Sequence, residues 1–161
     1  MNDRIRLVED RDVDAVLGVF NYHVSHSFAA YAEGEFGPVV VETFRKSASV
    51  FYVQEVDDTI AGFGFLRPYN LFDNFNHTAM LTYFLLPEFT GKGLGTKLLN
   101  QLQEYARQNG IYNLLAHISS QNLQSLNFHK KHGFEECGRL KKVGKKFGEE
   151  FDVVWVQKFL D

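Results

Sequence analysis

The chain has 161 residues, a length that fits one domain with a hydrophobic core. Apolar residues make up 45% of it and aromatic residues 15%, which excludes a disordered protein, and the net charge of −3 offers no overall positive field for nucleic acid or an anionic membrane. A single cysteine excludes an internal disulfide framework, and neither the charged N-terminus nor any apolar run is typical of a signal peptide or a membrane span, so we expect a cytoplasmic protein.

The first half of the chain predicts one strand, two helices and a hairpin. A short strand at 5–8 leads into a helix of about fifteen residues, whose apolar positions are Val13, Val16, Leu17, Phe20 and Val24. After an aromatic loop at 27–38, Pro38 suits the first position of a short helix over 39–49. The pattern then indicates a strand ending at Val56, an Asp57-Asp58 turn and a second strand over 59–66.

The second half predicts four strands and two helices. A loop at 68–76 is followed by a strand over 77–86, a glycine turn, a helix over 94–108 and a strand over 114–118. A helix over 122–131 then precedes two strands, 134–143 and 150–159, which flank the segment GKKFGEE. This order predicts a mixed sheet covered by helices, in the α/β or α+β class.

The segment PEFTGKGLGTK places three glycines, Gly91, Gly93 and Gly95, ahead of the 94–108 helix. A helix N-terminus lined by glycine exposes free N–H groups at the positive end of the helix dipole, which suits a phosphate. A P-loop is excluded because Thr96, five places after Gly91, breaks its spacing. The dinucleotide pattern G-x-G-x-x-G is excluded because Thr96 occupies the position of its third glycine.

These motifs resemble the GCN5-related N-acetyltransferases (GNAT). The glycine turn matches that family's Gln/Arg-x-x-Gly-x-Gly/Ala signature, except that Thr90 stands at the first position. The segment NLQSLNFHKKHGF and the last hairpin, from GRLKKVGKKFGEE onward, are similar to the phosphinothricin N-acetyltransferase branch. The resemblance implies a GNAT fold over residues 1–161 as a single domain, with a mixed central sheet of about seven strands flanked by four helices.

The resemblance also implies acetyl-CoA as co-substrate. Its pyrophosphate is expected on the turn formed by Gly91, Lys92, Gly93, Leu94, Gly95 and Thr96. Its pantetheine arm is expected along the strand edge at Tyr83, Phe84 and Leu85, with Asn122 bonding the pantetheine amide. No metal is expected.

His129 is the predicted acid or proton relay, because an imidazole with its ordinary pKa of about 6.5 can supply or relay a proton near neutrality. The alternative is a histidine of the helix surface, packed between Ser125 and Gly133. The base for the amine stays open, because Met80 stands where the branch carries a glutamate. The candidates are a water chain and the side chains of His117, His77, Glu33, Glu35 and Tyr83.

The resemblance implies an acetyltransferase for the primary amine of a small molecule, first an amino acid or an amino-acid analogue similar to phosphinothricin or methionine sulfoximine. The alternatives are another amine class (a polyamine, an aminoglycoside or a protein N-terminus) and an acyl-CoA-binding module without turnover. Loops 27–38 and 68–77 are expected to border the acceptor pocket, and they offer Phe28, Tyr31, Phe36, Tyr69, Phe72, Phe75, Glu33, Glu35 and Asp73.

The remaining expectations concern partners and the last hairpin. The resemblance implies a homodimer, with Trp155 and Phe159 in the core or the interface. We expect binding to neither nucleic acid nor membrane. The basic cluster Lys141, Lys142, Lys145 and Lys146 is interpreted as a solvated turn, and Cys137 as a packed strand residue.

Overall fold

Seven β-strands form one mixed sheet in the computed structural model, which describes residues 1–161. In chain order they are β1 Asp3–Leu7, β2 Val50–Val56, β3 Thr59–Pro68, β4 Thr78–Leu85, β5 Asn113–Ser119, β6 Glu135–Lys146 and β7 Glu149–Phe159. Across the sheet their order is β1-β2-β3-β4-β5-β7-β6, and every neighbouring pair is antiparallel except the parallel pair of β4 and β5. The predicted mixed sheet is confirmed.

Four α-helices pack against this sheet: α1 Val13–His26, α2 Val39–Ser47, α3 Leu94–Gln108 and α4 Leu123–Lys131. The bounds of α3 agree with the predicted 94–108, and Leu94, Leu98, Leu102 and Ala106 are buried along one face of it. The short helix expected after Pro38 is α2, which forms despite its valines because Val41 is fully buried in the core.

The sheet separates two apolar cores. On one face, α1 and α2 pack against phenylalanines of β2 and β3, among them Phe51, Phe63 and Phe65. On the other face, α3 packs against alternate residues of the same strands, including Val50 and Leu66. Residues that alternate along a strand point to opposite faces, so the run of apolar residues in β3 serves both cores.

The parallel pair of β4 and β5 separates after three residues. Thr78, Ala79 and Met80 pair with β5, whereas β4 pairs with β3 as far as Leu85. From Leu81 onward, the side of β4 that faces β5 therefore has no partner strand. Unpaired backbone N–H and C=O groups inside a sheet offer an extended ligand an edge to which it can add as a further strand.

The last hairpin is longer than predicted. β6 continues to Lys146 and β7 begins at Glu149, so the predicted loop GKKFGEE is a two-residue turn of Phe147 and Gly148, whose φ angles are 53° and 79°. A turn with two positive φ angles matches the twist of a hairpin. The pattern missed it because a bulky residue such as Phe147 rarely adopts a positive φ.

Two predictions for side chains of β6 are wrong. Cys137 is exposed, because β6 is an edge strand and its pairing with β7 skips Cys137 at a β-bulge between Glu136 and Gly138. Lys146 is only 1% exposed, unlike its exposed neighbours in the basic cluster. Its ammonium donates to the carbonyl oxygens of His23, Ser27 and Ala30 at 3.2, 2.6 and 2.6 Å. Lys146 therefore fastens loop 27–30 to the end of α1.

Candidate active site

Two cavities meet at the place where β4 and β5 separate. The first, of about 380 Å³, runs from the glycine turn along β4 and α4, and we call it the glycine-turn groove. The second, of about 360 Å³, lies between loop 29–32 and the middle strands, and we call it the aromatic cavity. Five residues line both: Ala29, Tyr83, Phe84, Asn122 and Ser125. A ligand in either cavity can therefore reach one in the other at Tyr83.

The glycine turn forms one end of the groove. Gly91 and Gly93 have φ angles of 74° and 79°, a left-handed conformation that side chains disfavour and glycine adopts freely. Gly93 leads directly into α3, whose first N–H groups have no partner within the helix. Lys131 and His132 also line the groove, and no acidic residue does. This end of the groove is suited to an anion.

Eight of the ten residues predicted to bind the cofactor line this groove: Tyr83, Phe84, Leu85, Gly91, Gly93, Gly95, Thr96 and Asn122. The other two do not. Lys92 is exposed, with its ammonium 5.9 Å from the centre of the Phe89 ring, and Leu94 is fully buried beneath the turn. The side chain of Leu94 is therefore part of the core, and only its backbone belongs to the turn.

Thr90 and Leu85 are already held by contacts within the chain. The Thr90 hydroxyl donates to the carbonyl oxygen of Pro87 at 2.7 Å, which fixes the start of the turn. The Leu85 carbonyl oxygen accepts a hydrogen bond from Nε2 of His23 at 2.7 Å. One of the two lone pairs of this carbonyl oxygen is therefore already used at the end of β4.

Asn122 caps helix α4 at the junction of the cavities. Its Oδ1 accepts a hydrogen bond from the backbone N–H of Ser125 at 3.3 Å, as in a typical N-cap. The nitrogen of its side-chain amide makes no hydrogen bond within the chain, so both N–H donors of the Asn122 side chain remain free for a carbonyl group of a ligand.

Tyr83 and His129 form a hydrogen-bonded pair at the same junction. Nδ1 of His129 lies 2.7 Å from the carbonyl oxygen of Ser125, which can only accept, so Nδ1 carries the proton. Nε2 of His129 is therefore the acceptor, and the Tyr83 hydroxyl donates to it at 2.7 Å. Burial raises the pKa of Tyr83, so this hydroxyl keeps its proton.

His129 itself is 3% exposed, and burial lowers its pKa to about 4. The ordinary imidazole pKa, on which the predicted role of His129 as an acid depends, does not hold at this buried position. The imidazole is neutral near neutral pH, and so it cannot donate a proton from an imidazolium. It can accept one from Tyr83, which leaves the relay part of the prediction open.

A second pair of the same kind lies inside the aromatic cavity. The Tyr31 hydroxyl and Nδ1 of His117 are 2.8 Å apart, although the two residues are 86 positions apart in the chain. The Tyr31 ring is stacked between the rings of His117 and Phe151, with centroids 5.6 Å away in each case. His117 also contacts Trp155 of β7, at 5.0 Å between ring centroids.

Arg67 is the one charged residue among those that line the aromatic cavity, which has no carboxylate. Its guanidinium makes no ion pair within the chain, whereas the other two half-buried arginines, Arg6 and Arg45, do. The cavity is otherwise mostly apolar, with Phe20, Phe65 and Leu81 among its walls. An uncompensated cation in an apolar cavity favours an anionic group of a ligand.

Several predicted acceptor-site residues lie elsewhere. Glu33 accepts from the backbone N–H of Phe147, and Glu35 accepts from the Ser25 hydroxyl, so both carboxylates stabilise the loop. Met80, which stands where the resembled branch carries a glutamate, is 3% exposed within the sheet. Of the predicted aromatic residues, Tyr31 lines the cavity, and those outside it are Phe28, Phe36, Tyr69, Phe72 and Phe75. His77 stacks on Tyr112, also outside both cavities.

Three features of the site were not predicted from the sequence: Arg67, His23 and the pairing of Tyr31 with His117. The sequence could have indicated Arg67 as a candidate site residue, because it is the only charged residue in the apolar strand TIAGFGFLRP. The other contacts join distant segments, and no local pattern predicts them.

Known proteins are similar to this chain over most of its length. The model of the acetyltransferase (GNAT) family matches residues 15–134. The L-amino acid N-acyltransferase MnaT of Escherichia coli (strain K12) is 30% identical over 98% of this chain and 94% of its own. The phosphinothricin N-acetyltransferase of Alcaligenes faecalis is 29% identical over 98% of this chain and 82% of its own, which confirms the predicted resemblance to that branch.

Two solved structures extend the comparison. The ribosomal-protein-alanine N-acetyltransferase of Brucella melitensis is 31% identical, covers 98% of this chain and 99% of its own, and superposes with a TM-score of 0.87. The yncA structure of Salmonella typhimurium, solved with its cofactor acetyl-CoA, is 29% identical, covers 100% and 95%, and has a TM-score of 0.88. No helix of this chain has the length and apolar character needed to cross a membrane.

Proposed function

The chain belongs to the acetyltransferase (GNAT) family, and we propose that it transfers the acetyl group of acetyl-CoA to the primary amine of an amino acid or a close analogue. Both substrates are bound together, and the amine attacks the thioester directly. This proposal is supported by two cavities of similar size that share Tyr83, because a donor and an acceptor must meet for direct transfer. We further propose that the 161 residues act as one catalytic domain.

The glycine-turn groove is the donor site in this proposal. The diphosphate of the coenzyme binds the N–H groups at Gly91–Thr96, with Lys131 adding positive charge beside it. The pantetheine arm pairs with the open edge of β4, and the free amide donors of Asn122 bind one of its carbonyl groups. The thioester is thereby directed to the junction of the two cavities.

Tyr83 supplies the proton for the departing sulfur. Its hydroxyl lies at the junction, keeps its proton, and donates it in a hydrogen bond to the neutral His129 until the hydroxyl turns to the departing sulfur. In this role His129 orients the Tyr83 hydroxyl, and its imidazole is neutral before the reaction begins. General acid catalysis of this kind contributes about 10²–10⁴-fold to the rate.

The unpaired guanidinium of Arg67 in the aromatic cavity is the single observation that indicates the class of acceptor. A carboxylate next to the amine pairs with the unpaired guanidinium, and the apolar walls of the cavity contact the amino-acid side chain. The same charge repels an ammonium, which favours the neutral amine that must attack. Polyamines and aminoglycosides carry several ammonium groups and no carboxylate, so the cavity opposes them.

The test compares each amino acid with the amine that lacks its carboxylate. Methionine with 3-(methylthio)propylamine, and phenylalanine with phenethylamine, are assayed by thiol release from acetyl-CoA. A charge-assisted hydrogen bond is worth about 1.5–3 kcal/mol, so we expect kcat/KM to favour the amino acid by roughly 10–150-fold. Arg67→Gln should remove the preference, and Arg45→Gln, a surface arginine of α2 paired with Asp10, should keep it.

Other outcomes identify the alternatives. Equal rates for the two members of each pair would contradict the role of Arg67. Acetylation confined to peptides with a free N-terminus would indicate a protein substrate, the activity named for the relative from Brucella melitensis. Coenzyme binding by calorimetry without thiol release for any amine would indicate a binding module.

We also propose that the protein acts as a cytoplasmic homodimer. The apolar side chains exposed on the last hairpin support self-association, since Leu140, Val143 and Phe159 are 52%, 55% and 66% exposed. The single cysteine, which leaves no internal disulfide to form, is consistent with a reducing compartment. Light scattering after size-exclusion chromatography tests the dimer, and a monomer at micromolar concentration would contradict it.

A further inference from the structure

The aromatic cavity contains five ionisable side chains, and most of them cannot take up a proton. The five are Tyr31, Arg67, Tyr83, His117 and His129. An arginine stays protonated at any relevant pH. The two tyrosines are protonated as well, because burial raises the pKa of Tyr31 to about 12 and that of Tyr83 well above its ordinary value. Only the two imidazoles can act as final proton acceptors.

His129 is already engaged by its neighbours. Its Nδ1 donates to the Ser125 carbonyl oxygen and its Nε2 accepts from Tyr83, so neither ring nitrogen is free for a substrate. Burial holds the pKa of His129 at about 4, which makes an imidazolium there costly. The unassigned acceptor in the cavity is therefore His117.

His117 is held in a fixed orientation but keeps one ring nitrogen without a partner. Nδ1 is paired with the Tyr31 hydroxyl at 2.8 Å, while Nε2 makes no hydrogen bond within the chain. Tyr31 stacks on one side of the imidazole at an interplanar angle of 12°, and Trp155 packs against it from β7. The side chain is only half-buried, so it can exchange protons with solvent.

We propose that His117, supported by Tyr31, accepts the proton of the substrate amine, while Tyr83 and His129 serve the departing sulfur. This inference rests on the proposed function and adds the base that the reaction requires. It assigns the two tyrosine–histidine pairs of the cavity to the two ends of the transfer.

The protons balance as follows. The substrate ammonium first gives one proton to His117, directly or through the Tyr31 hydroxyl, and His117 passes it to solvent. The neutral amine attacks the thioester carbon, so a C–N bond forms and the C–S bond breaks. Tyr83 gives its proton to the departing sulfur, and the second proton released by the nitrogen restores Tyr83. The products are the N-acetylated amine, coenzyme A and one proton.

The charges around His117 agree with this role. Burial lowers the pKa of His117, and Arg67 of β3 lowers it further, so the imidazole is neutral at neutral pH and passes on to solvent any proton that it accepts. Tyr31 faces it from the loop as a neutral hydroxyl, and β7 contributes the rings of Trp155 and Phe151, which carry no charge. No carboxylate lines the cavity to compete for the proton.

The test measures kcat/KM against pH for the unaltered protein and for His117→Gln, with coenzyme affinity followed by calorimetry. We expect kcat/KM at neutral pH to fall by about 10²–10⁴-fold. The activity of the variant should then rise with pH until the substrate ammonium has lost its proton in solution. Coenzyme affinity should stay unchanged, because His117 lies outside the glycine-turn groove. Imidazole added to His117→Ala should restore part of the rate.

Controls separate this role from a structural one. His77→Gln, at a histidine outside both cavities, should keep the rate and the pH profile. Tyr31→Phe, which keeps the stacked ring, should shift the acidic limb of the profile with a smaller loss of rate. An unchanged rate and pH profile in His117→Gln would overturn the inference alone. Absence of thiol release from the unaltered protein with every amine would overturn the proposed function and the inference with it.

Discussion

Gly93→Ala tests whether the glycine turn is built to bind an anion. Gly93 has φ 79° and ψ 3°, and a Cβ placed on it would meet no heavy atom within 4 Å. The substitution therefore causes no steric overlap with neighbouring residues. Its only cost is that alanine is held in the left-handed region, which is about 1–2 kcal/mol.

The free-energy cost of a positive φ for an alanine at position 93 can lower either the stability of the fold or the affinity for the coenzyme. Residues 91–93 are exposed, so the turn of the unliganded variant can relax to a negative φ with little loss of stability. Binding must then restore the turn, because the N–H groups converge on the diphosphate only in the original conformation. We expect affinity for coenzyme A to fall by roughly 5–30-fold, with a small change in the free energy of unfolding.

Titration calorimetry with coenzyme A and urea unfolding measure the two quantities. Gly34→Ala is the matched control, since Gly34 also has open space around its Cβ position but no positive φ. Its affinity should equal that of the unaltered protein. If Gly93→Ala binds coenzyme A as tightly as Gly34→Ala does, the reasoning about the turn is refuted.

Two further predictions follow from hydrogen bonds and ion pairs. Tyr83→Phe removes the hydroxyl that lies 2.7 Å from His129, so kcat should fall by about 10²-fold or more while calorimetry finds unchanged coenzyme affinity; an unchanged kcat would exclude Tyr83 as the proton donor. Asp12→Ala removes one of the two carboxylates hydrogen-bonded to the half-buried Arg6, which keeps Glu55, and should lower the free energy of unfolding in urea by about 1.5–3 kcal/mol. The hydrogen bonds from Arg6 hold the pKa of Asp12 below its ordinary value, so this stabilisation is complete above the ordinary carboxyl pKa and is lost as the pH falls through the lowered one. The variant should therefore lose less stability than the unaltered protein on acidification, and an equal loss would contradict the linkage.

Features encoded by neighbouring residues could be predicted from the sequence. The start of α3 follows from Gly93, its length from the spacing of the buried leucines, and the start of α4 from the cap at Asn122. The hairpin of β2 and β3 follows from Asp57 and Asp58, which adopt positive φ angles at the turn. In these cases the local signal and the final packing agree.

Features that depend on tertiary packing could not be predicted from local sequence patterns. The lowered pKa of His129 arises from burial against β4, and a helical pattern does not report that burial. The pair of Tyr31 and His117 joins a loop to a strand 86 residues later. Lys146 belongs to an exposed basic cluster by pattern, and only the position of loop 27–30 over the hairpin explains its burial.

The most direct test of the account is a crystal structure with coenzyme A and methionine bound together. The account predicts the diphosphate on the N–H groups of the glycine turn, the sulfur at hydrogen-bond distance from the Tyr83 hydroxyl, and the methionine carboxylate on Arg67. Coenzyme bound with its diphosphate away from the turn, or with its thiol directed away from the aromatic cavity, would contradict it.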